Sequence, residues 1–211
     1  MPPKFDSLTL ERVRAGLRRP LPGLNAQVRM SPQPRPGTER ILDPSLDCRR
    51  AGVLLLLYPG DEGLCLVLTR RTESLQSHQG QISLPGGSLE PGETAEEAAL
   101  REANEELAVD PTALTILGQL SPLYIPPSGF CIYPIVAYAD RRPAFVPSDG
   151  EVAEVIEEPL DHLVDSATCV EEVWQLRGQA VRVPFYQIGR NKVWGATAMV
   201  LCEFVALLSD D

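Results

Sequence analysis

The sequence contains no C-x-x-C pair, and this absence limits what its cysteines can do. They are odd in number, scattered along the chain and set in apolar runs: Cys48, Cys65, Cys131, Cys169 and Cys202. Such spacing indicates neither a zinc site nor a disulfide framework. We therefore expect buried, reduced thiols in a cytoplasmic protein.

The sequence also lacks a segment suited to a membrane. The first residues, MPPKFDSLTLERVR, contain no apolar core of a secretory signal. The longest apolar stretch, near residues 193–208, is interrupted by Glu203 and is too short to span a bilayer. We expect no contact with a membrane.

Positive charge is scarce, with 19 Lys and Arg against 29 Asp and Glu and a net charge of −10. This balance argues against binding to nucleic acid. Residues 1–50 nevertheless hold ten basic and five acidic side chains, whereas residues 51–211 hold nine and twenty-four. The basic arm could contact an anionic substrate, a neighbouring subunit in a homodimer, or the body of its own chain.

The length and apolar content fit a single domain with an extension, since the chain has 211 residues of which 44% are hydrophobic. Residues 1–48 are expected to form a short basic helix over 5–19 and a proline-rich connector, and residues 49–209 the main domain. A closing helix is expected over 193–208. The strands are expected over 51–58, 64–69, 112–120, 130–139, 151–157 and 181–188.

For two of these strands, the sequence also predicts their position in the sheet. The apolar run at 51–58 predicts a strand buried on both faces. Pro134 favours an edge or a bulge for the strand at 130–139, because proline cannot donate to a ladder. Strands mixed with a few helices predict an α/β domain.

Seven glutamates crowd into the seventeen residues from Glu90 to Glu106. Thr94 and Glu97 form a capping box that predicts a helix running to about Val109, before Pro111. Glu97 and Arg101 are spaced to pair along it. A helix rich in glutamate is ordinarily a solvated surface. A functional reading of this one therefore depends on how its glutamates are spaced.

Three of the glutamates fall on one face of that helix, since Glu102, Glu105 and Glu106 are three and four residues apart. Oxygen ligands without nitrogen or sulfur suit a hard cation such as Mg²⁺ or Mn²⁺. The glycines of the preceding loop allow the backbone to approach a ligand, and the Gly86 carbonyl could join the metal ligands.

The spacing of the charged positions resembles the Nudix box, G-x5-E-x7-R-E-U-x-E-E-x-G-U, where U is apolar. In this sequence the pattern is filled by Gly87, Glu93, Arg101, Glu102, Glu105, Glu106 and Val109. Ala108 stands where the family has its second glycine, and the first apolar position holds the small Ala103.

The resemblance implies a Nudix α/β/α sandwich with a mixed sheet that hydrolyses nucleoside diphosphates linked to another group. It implies Glu102 and Glu106 as the main metal ligands, joined by Glu105, with Glu93 supporting the cluster. Arg101 is expected to orient a neighbouring carboxylate. The general base stays open between Glu102 within the box and a carboxylate of a later loop, Glu151 or Glu154.

The segment before the box, VLTRRTESLQSHQGQISLPGG, is similar to the signature of coenzyme A pyrophosphatases, L-L-T-x-R-[SA]-x3-R-x3-G-x-[FV]-x-F-P-G-G. Thr72, Gln76 and Leu84 depart from it. The segments at 127–134 and 193–198 also resemble this subfamily. The implied reaction cleaves coenzyme A, or its thioesters and disulfides, to 3′,5′-ADP and 4′-phosphopantetheine or its derivative.

The side chains expected to bind such a small-molecule substrate are Arg70, Arg71, His78, Gly87, Ser128 and Phe130. Arg70 and Arg71 could grip phosphates or lie at the surface, and His78 could donate to a phosphate or fix its loop. Phe130 is equally suited to the core, and Trp194 is expected to pack against the sheet. Two rival functions stay open: hydrolysis of another substrate such as ADP-ribose or NADH, and a non-catalytic ligand-binding domain.

Overall fold

The computed structural model describes residues 9–34, 48–61, 63–72, 80–176 and 178–209. The helices in this part of the chain are α1 (Leu10–Leu17), α2 (Leu24–Gln27), α3 (Ala95–Leu107), α4 (Leu160–Leu163) and α5 (Gly195–Leu208). The long strands are β1 (Arg49–Gly60), β2 (Gly63–Arg71), β5 (Leu114–Gln119), β7 (Phe130–Ala139), β8 (Val152–Pro159), β9 (Cys169–Leu176) and β10 (Gln179–Ile188). Shorter strands are β3 (Ile82–Ser83), β4 (Gly86–Ser88), β6 (Leu123–Ile125) and β11 (Asn191–Trp194).

The larger sheet is mixed and has the order β3-β2-β1-β7-β5, to which β4, β6 and β8 add through β1, β7 and β2. Strands β1 and β7 run parallel over nine residue pairs, and the other pairings are antiparallel. Strands β9, β10 and β11 form a second, antiparallel sheet.

Helices cover both faces of the larger sheet. Leu54 and Leu56 of β1 pack with α3 on one face, whereas Leu55 and Leu57 pack with α5 on the other. The prediction of a strand buried on both faces is therefore confirmed, as is the α/β/α sandwich with its mixed sheet. None of the helices in the described residues is long and apolar enough to cross a bilayer.

The basic arm contacts the body of its own chain. Val13 is fully buried in the core on the α5 face. Arg12 Nε donates to the carbonyl of Leu208 at 2.9 Å, and Arg19 Nη2 donates to that of Leu207 at 2.6 Å. These guanidinium groups satisfy carbonyls at the C-terminal end of α5, where positive charge is favoured. The boundary at 48/49 stays a prediction.

The strand containing Pro134 lies inside the sheet, so of the two expected positions the edge is wrong. Its pairing with β5 does contain a bulge, between Ile116 and Gly118 of β5 and opposite Ala137 and Val136, so it does not lie at Pro134 itself. The Pro134 carbonyl accepts from the Leu120 N–H at 2.9 Å. The nitrogen and the carbonyl of a strand residue face the same side, so the proline nitrogen, which has no hydrogen to donate, faces this side too. On that side β7 pairs first with β6 and then with β5, and Pro134 lies opposite the gap between them. The proline thus removes no ladder bond.

The expectation that all five cysteines are reduced is also wrong, because Cys48 and Cys131 form a disulfide with a Cα–Cα distance of 5.8 Å. They are separated by 83 residues in the sequence. The parallel pairing of β1 with β7 brings them together, since Arg50 is in register with Cys131. Among the free thiols, Cys202 is buried as expected, whereas Cys169 is exposed.

Candidate active site

Helix α3 begins with the predicted capping box. The Thr94 hydroxyl accepts from the Glu97 N–H at 3.2 Å, and the Glu97 carboxylate accepts from the Thr94 N–H at 2.8 Å. Because Glu97 is engaged in this cap, it forms no ion pair with Arg101, and the expected i,i+4 pair is wrong. The helix ends at Leu107, two residues before the predicted end.

Small residues let α3 approach the sheet closely. Gly52 of β1 faces the helix backbone, where a side-chain carbon at position 52 would lie 3.0 Å from the Ala99 nitrogen. Ala99 and Ala103 are both buried at this contact. The small Ala103 at the first apolar position of the box therefore fits the narrow space between helix and sheet.

The glycine loop packs directly against the carboxylate helix. Gly86 and Gly87 lie in β4 and pair with Val53 and Gly52. A side-chain carbon at position 87 would overlap the carboxylate of Glu102. The absence of a side chain at Gly87 is thus what allows Glu102 to lie beside the loop.

Arg101 connects the loop to the acidic face of α3. Its Nε and Nη2 donate to the two oxygens of Glu93 at 2.9 and 3.1 Å. Its Nη1 donates to Glu102 at 3.0 Å and to Glu105 at 3.1 Å, and Nη2 also reaches the Ser88 carbonyl at 3.1 Å. The bidentate contact lowers the pKa of Glu93 and raises that of Arg101. Arg101 therefore orients two carboxylates, as predicted, and Glu93 holds Arg101 in place.

Glu106 differs from the other box glutamates in being almost completely buried, at 2% exposure. Among the described residues, its cationic partner is Arg71, with 3.7 Å between Nη1 and Oε1, and its Oε2 has no hydrogen-bond partner there. Burial raises its pKa to about 8, against the lowering effect of the Arg71 charge. A buried carboxylate oxygen without a hydrogen-bond partner lowers the free energy of unfolding. The fold therefore keeps Glu106 in place at a cost to its stability.

Burial also raises the pKa of Glu102, with Arg101 opposing it. The charges of Glu105 and Glu151 contribute to the rise at Glu102, and those of Glu102 and Glu151 contribute at Glu106. Desolvation is therefore the larger cause of the raised pKa values, and repulsion between carboxylates is the smaller one.

The loop before β8 brings Glu151 to the cluster. The Val146 and Ser148 N–H groups each donate at 2.9 Å to the carbonyls of Leu107 and Glu106, so this loop caps the end of α3. The same loop is also bound to the end of β2. The Thr72 N–H donates to the Glu151 carbonyl at 2.9 Å, and the Thr72 hydroxyl donates to the Gly150 carbonyl at 3.0 Å. Nothing in the sequence indicated that Ser148 contacts the backbone of a box glutamate.

The two arginines at the end of β2 point to opposite faces of the sheet. Arg71 faces α3 and Glu106, whereas Arg70 forms an ion pair with Glu154, which also contacts Arg190 at 3.4 Å. The charge of Glu151 is among the main causes of the raised pKa values of Glu102 and Glu106, whereas that of Glu154 is not. The candidate base Glu154 is therefore an ion-pair partner on the other face.

Two further predicted substrate ligands, Ser128 and Phe130, have their contacts outside this cluster. The Ser128 carbonyl accepts from Arg49 Nη2 at 2.6 Å, and the Arg49 guanidinium lies 4.2 Å from the centre of the Phe130 ring. His78 lies outside the described residues. Trp194 packs edge-on against Trp174 in the second sheet, with 5.3 Å between ring centres.

Comparison with known proteins identifies the family. The NUDIX domain family matches residues 49–175. A Yersinia enterocolitica protein called uncharacterized Nudix hydrolase NudL is 40% identical over 170 residues, which are 80% of this chain and 84% of that protein. A protein of the same name from Pectobacterium atrosepticum is 36% identical over 146 residues, covering 69% of this chain and 76% of the other. The crystal structure of a MutT protein from Methanosarcina mazei is 21% identical, covers 77% of this chain and 96% of that chain, and has a TM-score of 0.49. The chain belongs to the NUDIX family.

Nudix hydrolases generally use divalent metals such as Mg²⁺ or Mn²⁺, and the residues present fit such an ion by their chemistry. The partnerless Oε2 of Glu106 is a buried anionic donor, and Glu102 and Glu105 add carboxylate oxygens. Within the described part of the chain, no three acidic, His or Cys side chains already stand as a coordination shell. Arg101 contacts Glu102 and Glu105 at 3.0 and 3.1 Å, whereas Glu106 has only the longer contact of 3.7 Å with Arg71. Of these three carboxylates, Glu106 is therefore the one whose charge is least well paired.

Proposed function

We propose that this Nudix hydrolase cleaves the pyrophosphate bond of coenzyme A, or of its thioesters and disulfides. The products would be 3′,5′-ADP and 4′-phosphopantetheine or its derivative. The observation that carries the proposal is the placement of Arg71, the arginine of the signature preceding the box, beside the buried Glu106 of the box. Two separate sequence patterns, one general to the family and one similar to coenzyme A pyrophosphatases, thus meet in one site.

Two of the three departures from that signature have structural contacts that account for the residue present. Leu84 is buried in the core on the α5 face, where its apolar side chain can replace a larger one. Thr72 ties the end of β2 to the loop that carries Glu151. These departures therefore weaken the resemblance less than their number indicates. Gln76 lies outside the described residues.

The divalent cation would be held by Glu102, Glu105 and Glu106, and when bound it would neutralise the pyrophosphate charge and lower the pKa of a water. Arg101 keeps Glu102 and Glu105 pointed to the site through its contact with Glu93. Arg71 presents a guanidinium fork that can donate to a phosphate oxygen.

Glu151 is the better candidate for the general base, since its charge acts on both Glu102 and Glu106 and its side chain is exposed to the solvent that supplies the water. Glu102 is instead oriented by Arg101 and raised in pKa by burial. A base within reach of the attacking water would take its proton as the water displaces one phosphate in line.

The test is product analysis by chromatography and mass spectrometry, with coenzyme A, ADP-ribose and NADH incubated separately with Mg²⁺, Mn²⁺ or a chelator. We expect metal-dependent release of 3′,5′-ADP from coenzyme A and little cleavage of the others. Preferential cleavage of ADP-ribose or NADH would keep Nudix chemistry and overturn the assignment of coenzyme A. No cleavage of any of the three by the folded protein would favour a non-catalytic ligand-binding domain.

A further inference from the structure

A disulfide stands at the start of the two parallel strands of the larger sheet. Cys48 directly precedes β1, and Cys131 is the second residue of β7, in register with Arg50. The bond therefore lies beside the first residue pairs of a ladder that continues to Leu57. The ends of strands open more easily than their centres, so a covalent bond here holds together the least protected part of the ladder.

A short path of hydrogen bonds leads from this end of β1 to the acidic face of α3. The Arg50 carbonyl accepts from the Leu89 N–H at 3.1 Å. The carbonyl of the preceding residue, Ser88, accepts from Arg101 Nη2 at 3.1 Å. Because Arg101 orients two carboxylates of the cluster, the order of the β1 start bears on the residues that would hold the metal.

The disulfide also encloses most of the candidate active site in one covalent loop. Its two cysteines are 83 residues apart, and the segment between them contains β2, β4 and α3. Arg71 and the charged residues of the box lie inside this loop, whereas Glu151 lies outside it. A cross-link restricts the unfolded chain more when the loop is long, so this bond acts on the stability of the segment that carries the site.

The surroundings of the bond favour its reversible cleavage. Both cysteines are partly exposed, in contrast to residues 54–57 further along β1, which are fully buried. Arg49 follows Cys48 directly, and Arg50 is opposite Cys131. Positive charge favours the thiolate that leaves when a disulfide is attacked. The position therefore suits exchange with a small thiol from solution.

We propose that the Cys48–Cys131 disulfide is a redox-sensitive clasp. Its opening by a small thiol loosens the start of β1 and, through Ser88 and Arg101, weakens metal binding at the α3 cluster. The clasp rests on the proposed metal site but not on coenzyme A as the substrate.

The exchange takes two steps and two molecules of the small thiol. The thiolate of the first attacks one protein sulfur, breaks the S–S bond and forms a mixed disulfide, while the other protein sulfur leaves as a thiolate. The thiolate of the second attacks the sulfur of the small molecule in the mixed disulfide and releases the second protein sulfur. The two thiol protons pass to the protein sulfurs, so the protein disulfide is reduced and the small thiol is oxidised to its disulfide.

The test compares the oxidised full chain with the same protein after reduction by excess glutathione and anaerobic removal of the glutathione. Alkylation and mass spectrometry establish the state of the bond, and circular dichroism establishes that both forms are folded. We expect reduction to weaken Mn²⁺ binding by about fivefold. The amide order parameters from nitrogen relaxation should fall from about 0.85 to about 0.6 at residues 49–51 and 88–89, and stay unchanged at residues 55–57.

A variant with Cys48→Ser and Cys131→Ser retains the other three cysteines and is the matched control. It should bind Mn²⁺ as the reduced wild type does, with or without treatment by glutathione. Cys65→Ser removes a thiol outside the bond and should respond to glutathione as the wild type does. If the double variant does not fold, the oxidised and reduced wild type still provide the comparison.

Equal Mn²⁺ affinity and equal order parameters in the two redox states would overturn the proposal, because the bond would then do no more than stabilise the fold. A bond that does not form in air, or that excess glutathione does not open, would overturn it as well. If neither state binds Mn²⁺, the proposed metal site is wrong, and the order parameters alone decide whether the clasp exists.

Discussion

Two buried glutamates on two helices, Glu106 on α3 and Glu203 on α5, have opposite surroundings. Glu203 is fully buried, yet its carboxylate accepts from the Gly23 N–H at 3.1 Å, the Ser121 N–H at 3.2 Å and Gln27 Nε2 at 2.8 Å. Glu106 is 2% exposed, and one of its oxygens has no hydrogen-bond partner in the part of the chain that the structure describes.

The difference separates a structural carboxylate from one that is available to a ligand. The three donors to Glu203 come from the N-terminal arm and the segment after β5, so this carboxylate joins the arm to the body. The Glu106 side chain makes no comparable set of hydrogen bonds between separate segments within the described residues. Since burying an unsatisfied carboxylate is costly, we propose that a bound ligand satisfies Glu106.

The largest expected effect is on catalysis. Glu106→Gln should lower metal-dependent hydrolysis by about 10³-fold or more, because the loss of a charged metal ligand removes several kcal/mol of transition-state stabilisation. Steady-state assays with saturating Mn²⁺ measure it. Glu96→Gln, on the exposed face of the same helix, is the matched control and should retain the wild-type rate. Equal rates in the two variants would remove Glu106 from the metal site.

The second effect is on the pH dependence of stability in the presence of a chelator. The folded-state pKa of Glu106, about 8, lies above its ordinary value of 4.5, so the folded protein binds this proton more tightly than the unfolded chain. The stabilising contribution is complete below about pH 4.5 and is lost as the pH rises to 8, by up to about 4 kcal/mol. Urea unfolding at pH 5 and pH 8 should therefore show a smaller decline for Glu106→Gln than for wild type. Parallel declines would show that Glu106 does not titrate in this range.

The third effect belongs to the satisfied carboxylate. Glu203→Ala should lower the free energy of unfolding by about 3 kcal/mol, because two part-buried backbone N–H groups and the buried Gln27 amide lose their acceptor. Chemical denaturation measures the loss, and the rate per folded molecule should not change. A loss of activity at full folding would show that the two helices are functionally coupled.

The smallest effect concerns the end of α3. Ala108 has φ of 55°, a left-handed conformation that costs a residue with a side chain about 1–2 kcal/mol. Ala108→Gly should therefore raise the free energy of unfolding by about 1 kcal/mol and leave hydrolysis unchanged. Ala103→Gly, inside the same helix, should instead lower it by about 1 kcal/mol or more. Destabilisation by Ala108→Gly would contradict the backbone assignment.

The parts of the fold that depend on local signals could be predicted from the sequence. The capping box and the glutamate spacing define α3, and the apolar run defines β1, because each signal lies within the element it specifies. The left-handed Ala108 also explains why the family pattern has glycine there. By contrast, β9 was not predicted, since its sequence CVEEVWQL has two adjacent glutamates that interrupt the apolar alternation.

The contacts that depend on tertiary structure could not be predicted in the same way. Arg101 pairs with Glu93 rather than Glu97 because the loop before α3 folds back over the helix. The Cys48–Cys131 disulfide depends on the register of two strands distant in sequence. Arg70 and Arg71 are adjacent in sequence, yet their separation onto opposite faces follows from the pleat of β2.

The most direct measurement of the central claim is Mn²⁺ binding followed by electron paramagnetic resonance. The wild type, Glu106→Gln and Glu203→Gln would be titrated under conditions where circular dichroism shows each to be folded. The account predicts that Glu203→Gln binds Mn²⁺ as the wild type does, whereas Glu106→Gln binds it at least about tenfold more weakly. Equal affinity in wild type and Glu106→Gln would contradict the claim that the unsatisfied carboxylate of α3 is a metal ligand.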